Sequence, residues 1–297
     1  MSSPSPQRRW LNEVLGYLWW LYTPFRTISA SFIYDLVSIR TFSDHGLYLN
    51  MGYWKDAHTI DEACQALVTL VADKAALRPH DWLLDVGFGF AEQDMYWLET
   101  FGPQQIVGVN ISRVQVQLAC ARVAARQMDD RITLLAGSAT ALPLRPASFE
   151  KVTALESAFH FDMREKFFQE AYQVLRPRGR LVLTDVIALP PPRQWFQGLL
   201  HRLVWVSFCR TQGVSKENRD TQQTYVQKLN AAGFCHVELT SIRDDVYPAF
   251  THWLTEPGVL KRFHPLVRFR YYCMFHFNLQ LIYRALDYVI VSADKPA

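Results

Sequence analysis

Leu83-Leu84-Asp85-Val86-Gly87-Phe88-Gly89-Phe90-Ala91 reads as a buried strand that runs into a glycine-punctuated turn and opens a helix. Glycine at 87 and 89 lets the backbone approach a ligand closely and adopt φ values that other residues avoid. Turns of this kind also serve dinucleotides, so the turn alone is a weak signal. The dinucleotide fingerprint, however, asks for a third glycine at 92, where this chain has Glu, poorly suited to a pyrophosphate on a helix N-terminus. Asp85, at the strand's end, is placed to accept hydrogen bonds from a cationic ligand or to balance its charge. A nicotinamide dehydrogenase is therefore disfavoured, and a strand–helix turn with no ligand is the plain alternative.

Outward from this turn, short apolar runs alternate with helical stretches. The pattern predicts strand Trp82–Val86, helix 91–101, strand Ile106–Asn110, helix 113–127, strand Ile132–Ala136, strand Val152–Leu155, helix 163–175 and strand Arg180–Ile187. A helix over Thr221–Ala232, ending at Gly233, then leads to strand Cys235–Ile242, and strand Asp287–Ser292 closes the chain. Continuously apolar strands separated by helices predict an α/β, Rossmann-like, seven-stranded and mostly parallel sheet with helices on both faces. To this are added an N-terminal helical segment, a helix over 60–78 with Ala63, Leu67, Leu70 and Val71 at helical spacing, and aromatic lid insertions over 194–209 and 245–284. The resulting division is an N-terminal helical cap or lid over 1–78, a ligand-binding core over 79–190, and lid helices with the terminal strands over 191–297.

Composition sets limits on function. The chain has 297 residues, 31 basic against 28 acidic, a net charge of +3 that is too balanced to argue for nucleic acid. Aromatic residues at 14% are the outlier. Cys64, Cys120, Cys209, Cys235 and Cys273 are odd in number and at least 26 residues apart, which gives neither a metal-binding nor a redox spacing and reads as reduced thiols in a cytoplasmic protein. No metal is needed, since His and carboxylate residues show no ligand spacing. Arg8 and Arg9 precede the apolar run Leu15–Phe25, but Glu13 interrupts the approach to it and no small-residue cleavage site follows, which argues against a signal peptide. No stretch reaches the roughly 18 uncharged residues that a membrane span needs.

The motifs together resemble the class I S-adenosylmethionine-dependent methyltransferases. The likeness runs from the 83–91 turn through Val107-Gly108-Val109-Asn110-Ile111-Ser112 with Gln115, Gly137-Ser138-Ala139, Leu142-Pro143, Ser148-Phe149-Glu150, Ala154-Leu155-Glu156-Ser157 and Val174-Leu175-Arg176-Pro177-Arg178-Gly179. Upstream, Asn50-Met51-Gly52-Tyr53-Trp54 resembles the cofactor-covering segment of the small-molecule branch, which includes natural-product, quinone and tocopherol enzymes. The resemblance implies S-adenosyl-L-methionine as cofactor, held by Tyr53, Asp85, Gly87, Gly89, Asn110, Ile111, Gln115, Ser138, Ala139 and Glu156. The chain departs from the pattern twice: Asn110 stands where an acidic residue usually holds the ribose, and Ser138 where an Asp often reads the adenine amino group.

The same resemblance implies a catalytic base at His160 with Asp185 beside it. Imidazole titrates near neutrality and can take a hydroxyl proton as the oxygen attacks a methyl group, and a carboxylate on its second nitrogen would fix the tautomer. The other histidines, His45, His58, His252 and His276, read as packing or surface. Trp195, Phe196, Leu199, Leu200, Leu203, Val204, Trp205 and Phe208 fall mainly on one helical face and suit a roof over an apolar polyketide, terpenoid, lipid or quinone-like acceptor. The same surface leaves open a homodimer or, with the interleaved arginines and Trp19-Trp20-Leu21-Tyr22, a peripheral membrane contact. C-methylation of an activated ring or alkene, and a cofactor-binding protein that transfers no methyl group, are the competing readings.

Overall fold

Burial on both sides makes the central strands apolar throughout, and the computed structural model shows where they go. It describes Ser43 and residues 45–212, 214–256, 258–259, 283 and 285–297. The expected helices over 10–40 and most of the second aromatic insertion lie outside these residues. Seven strands form one sheet: β1 (Trp82–Val86), β2 (Gln105–Asn110), β3 (Ile132–Ala136), β4 (Phe149–Leu155), β5 (Leu175–Ala188), β6 (Cys235–Ser241) and β7 (Leu286–Asp294). Their order is β3-β2-β1-β4-β5-β7-β6. β1 pairs parallel with β2 and β4, β3 with β2, and β5 with β4, while β7 runs antiparallel between β5 and β6. The chain order reverses at β1, where a strand leads to β2 on one side and has β4 on the other. That switch point is where an open α/β sheet leaves a crevice beyond its strand ends.

The helices are α1 (Ile60–Ala75), α2 (Glu92–Phe101), α3 (Arg113–Ala125), α4 (Arg164–Val174), α5 (Trp195–Gln212), α6 (Gln222–Ala231) and α7 (Arg243–Leu254). α1 starts at a capping box in which the Thr59 hydroxyl accepts from the Glu62 amide and the Glu62 carboxylate accepts from the Thr59 amide. Its buried stripe, Ile60, Cys64, Leu67, Val68 and Val71, joins Leu83, Met95, Trp97, Val182, Val186 and Ile290 in one core. α1, within the segment read as an N-terminal cap, thus covers one face of the sheet. On the opposite face, Phe167, Phe168 and Ala171 of α4 and Tyr225 and Leu229 of α6 pack on Leu84, Leu181, Leu183 and Ile187. β5 thus sends its even-numbered residues to the α1 face and its odd-numbered residues to the α4–α6 face, the two-residue period of a strand.

Two elements depart from the sequence reading. β5 is longer than expected because its first residues, Leu175 onward, extend beside β4 before a bulge resets the pairing. α7 carries Pro248 inside it and buries Val246, Tyr247, Phe250, Trp253 and Leu254 against the α1-side core. α5 buries Trp205 and Cys209 but leaves Trp195 82% and Leu203 57% exposed, with Phe196, Leu199, Leu200 and Val206 beside them. Among the described residues, no helix is long and apolar enough to cross a membrane.

Candidate active site

The loops that follow β1, β2, β3 and β4 enclose a cleft at the carboxyl edge of the sheet, lined among others by Gly87, Gly89, Asn110, Ile111, Gln115, Ser138, Ala139, Glu156 and His160. Nine of the twelve residues expected in the site therefore share one wall. Gly87 is required there twice over. Its φ is +89°, and a Cβ would lie 2.3 Å from the Cβ of Ser157, whose hydroxyl is bonded to the Val86 carbonyl at 2.7 Å. Gly89, at φ +58°, lies under Leu49, another wall residue.

Asp85, Tyr53 and Asp185 are placed differently from the sequence reading. Asp85 is fully buried beneath the cleft rather than on its wall. Its Oδ2 accepts from Gln93 Nε2 at 3.0 Å and its Oδ1 from Thr153 Oγ1 at 3.0 Å. Gln93 does line the cleft, so Asp85 reaches a ligand only through that amide. Tyr53 packs against the α1-side core, and Leu47, Leu49 and Asn50 cover the cleft in its place. Asp185 lies on the α4–α6 face, away from the position expected beside His160. Its Oδ2 pairs with Arg164 Nε at 2.8 Å and accepts from Tyr225 Oη at 2.9 Å, and its Oδ1 accepts from the Val186 amide at 2.9 Å. Burial raises its carboxyl above the ordinary range, and Arg164 and Tyr225 pull it back.

Several residues that sequence reasoning missed shape the site. Glu92, read only as the residue that spoils a dinucleotide turn, accepts from the Leu47 amide at 2.8 Å and pairs with Arg122. It thereby ties the covering segment to the start of α2. A second tie is made by Glu156, which follows β4 with φ +48°. Its Oε1 accepts from the Met51 amide at 2.7 Å and from Tyr288 Oη at 2.5 Å, and its own amide donates to the Thr184 carbonyl at 3.0 Å. Burial pushes the Glu156 carboxyl up to about 7, with Tyr288 and Met51 opposing.

On the β2 side, Asn110 Nδ2 donates to Gln115 Oε1 at 2.9 Å and Asn110 Oδ1 accepts from the Ser112 amide at 3.2 Å. Both functional ends of Asn110 are thus engaged, and it is Gln115 Nε2 that remains buried with no hydrogen-bond partner among the described residues. Asn50 Nδ2 is in the same condition across the cleft. Two orphaned amide donors lining the cleft mark a ligand with acceptor atoms, because a buried unpaired N–H costs about 1–3 kcal/mol. A nucleoside carrying ribose hydroxyls and an amino-acid carboxylate fits that donor set and the glycine cradle. Ser138 and Ala139, after β3, line the same cleft.

Beneath the cleft, Asp94 is fully buried, and neither carboxylate oxygen finds a hydrogen-bond partner among the described residues. Burial and the neighbouring Asp85 raise its carboxyl well above the ordinary range, and burial pushes Asp85 up to about 7. Both groups hold protons more tightly folded than unfolded. Their penalty is absent in acid, and stability is lost as the pH climbs from the ordinary carboxylate range through about 7. Asp94→Asn is expected to raise the unfolding free energy at about pH 8 by roughly 1–2 kcal/mol and to leave it nearly unchanged at about pH 4, measured by chemical denaturation. An unaltered pH slope would contradict the assignment.

Comparison with known proteins agrees with this geometry. Residues 84–183 match a methyltransferase domain family. The chain is 36% identical over 306 residues to erythromycin 3''-O-methyltransferase of Saccharopolyspora erythraea, covering 98% of each chain. It is 38% identical over 148 residues to 27-O-demethylrifamycin SV methyltransferase of Amycolatopsis mediterranei, covering 50% of this chain and 54% of that one. The fold is similar to the crystal structure of the [4+2]-cyclase SpnF, with a TM-score of 0.69 at 22% identity over 91% of this chain and 98% of that one. A seven-stranded sheet of this order, a glycine cradle at its switch point, and a near-full-length relative at this identity place the chain in the class I S-adenosylmethionine-dependent methyltransferases.

Proposed function

We propose that the protein methylates a hydroxyl group of an apolar, natural-product-type small molecule, with His160 as the general base. The observation that carries this reading is the position of His160. It ends the short 3-10 turn Ala158–His160 after β4, on the same cleft wall as Gly87 and Glu156. When bound, S-adenosylmethionine supplies an activated methyl group on a sulfonium. Gly87, Gly89, Gln115 and Asn50 then hold and orient the nucleoside and amino-acid ends, and His160 faces the remaining part of the cleft. His160 would accept the proton that the acceptor hydroxyl gives up when its oxygen takes the methyl group. Alignment of the reacting atoms supplies about 7–11 kcal/mol and the base a factor of roughly 10²–10⁴, so positioning is the larger contribution.

An apolar acceptor is supported by what surrounds His160. Its ring packs on Phe159 at 4.0 Å between centroids, and Phe159 lies 6.3 Å from Phe208 of α5. Phe161 completes that side of the wall. α5, with its long exposed apolar strip, thus reaches the base with its C-terminal half and continues outward as a surface for a large acceptor. The curated relatives named above methylate oxygen on erythromycin and rifamycin SV scaffolds, which fits this surface.

Deuteromethyl-labelled cofactor, incubated with the protein and erythromycin lacking its 3''-O-methyl group or with 27-O-demethylrifamycin SV, tests the reading. The expected product carries the label on oxygen, seen by NMR as a new methoxy carbon. Label appearing on carbon with either acceptor would replace it with C-methylation.

A further inference from the structure

His160 sits in a turn too short to hold itself. Two backbone hydrogen bonds close the turn, from the His160 amide to the Ser157 carbonyl at 3.0 Å and from the Phe161 amide to the Ala158 carbonyl at 3.2 Å. The carbonyls on either side of His160, those of Phe159 and Phe161, point instead to a residue nearly sixty positions away. Asn218 Nδ2 donates to the Phe159 oxygen at 3.2 Å and to the Phe161 oxygen at 2.6 Å. We propose that Asn218 is the positioning residue for the base: its amide grips the carbonyls of Phe159 and Phe161, the residues before and after His160, and so aims the imidazole into the cleft. This rests on His160 acting as the base.

Three features make the grip specific. Asn218 is fully buried, so water does not compete for its amide. Its Oδ1 accepts from the Arg164 amide at 2.9 Å, which fixes the orientation of the side chain, since the acceptor end is taken by a donor and the NH₂ must face the two carbonyls. Its backbone is held as well: Arg164 Nη1 donates to the Asn218 carbonyl at 2.9 Å and to Asp220 Oδ2 at 2.5 Å. Arg164 in turn is anchored by Asp185 and by the Val186 carbonyl at 3.3 Å. The acid that the sequence placed directly on His160 therefore reaches it through a relay, from Asp185 to Arg164 to Asn218 to the turn. No other side chain fits this place. Asp lacks the donors, Gln carries the amide one methylene too far, and a hydroxyl serves one carbonyl at most.

A misplacement of about 1 Å at a reacting group can cost about 10²-fold in rate. Asn218→Leu is expected to lower kcat by roughly 10–100-fold while the Kd for S-adenosylhomocysteine stays within about threefold. A merely structural residue would lower both. The deciding comparison is made in single turnover with labelled cofactor on wild type, His160→Ala, Asn218→Leu and the double variant. If Asn218 acts through His160, the leucine substitution costs less than about threefold once the imidazole is gone. An equal loss in both backgrounds, or no loss in wild type, overturns the positioning role while leaving the base in place. A His160→Ala enzyme that turns over within a few-fold of wild type overturns the base and the positioning role together. Asn218→Ser, a smaller disturbance that retains one donor, carries the same four-way comparison if the leucine variant does not fold, with an expected loss of about 3–30-fold.

Discussion

His160→Ala is expected to lower kcat by about 10²–10⁴-fold, with the Kd for S-adenosylhomocysteine unchanged within about threefold. The asymmetry follows from where the residue stands. The groups proposed to hold the nucleoside, Gly87, Gly89, Gln115 and Asn50, belong to the turn after β1, the start of α3 and the covering segment. His160 belongs to the turn after β4 and contributes none of the orphaned amide donors that await a ligand. Removing the imidazole takes away the proton acceptor and leaves the cradle intact. Wild-type turnover should also fall as the pH drops through the range in which imidazole takes up a proton, and the residual rate of the alanine variant should lose that step. A variant whose turnover stays within a few-fold of wild type would remove the base from the account.

The second large effect is on stability. Arg164 is fully buried and bonds two carboxylates, Asp185 at 2.8 Å and Asp220 at 2.5 Å, that are themselves buried. Arg164→Met fills the same space and removes the charge. Breaking a buried pair from one side leaves uncompensated charge behind, which costs about 3–5 kcal/mol. Lys228, 2.8 Å from Asp220, offsets part of that charge, but no second cation faces Asp185 among the described residues. The unfolding free energy of Arg164→Met, from denaturant titration, should therefore fall by about 3–5 kcal/mol at neutral pH, and by less in acid as Asp185, whose carboxyl burial raises, takes up a proton. A loss below about 1 kcal/mol would mean that the network contributes little beyond packing.

How far the sequence carries depends on the range of the signal. The strands were legible because a strand covered on both faces must be apolar throughout, and the turn after β1 because Gly87 has no substitute where Ser157 lies in the way. Gly89, Asn110, Ile111, Gln115, Ser138, Ala139, Glu156 and His160 could be placed because each ends a strand or follows one within a few residues and so arrives at the same edge. Asp85 and Asp185 were misplaced for one shared reason. Each lies within its strand, where the two-residue alternation decides the face. Asp185 takes the α4–α6 face, whereas its neighbour Thr184 serves the cleft side by accepting from the Glu156 amide. Glu92, Arg164, Tyr288 and Asn218 carried no local pattern at all. Their partners lie 21 to 132 residues away along the chain, so only the folded arrangement shows what they hold.

The central claim is that the cofactor lies in the cradle formed by the turn after β1. Isothermal titration of S-adenosylhomocysteine into wild type and Gly87→Val tests it. A valine side chain at 87 would enter space already occupied by Ser157, at a φ that Val avoids. Clear binding to wild type, and a loss of more than about 100-fold in a variant that is still folded, is the expected result. Equal affinity in the two proteins would place the cofactor elsewhere and leave His160 without a methyl group to face.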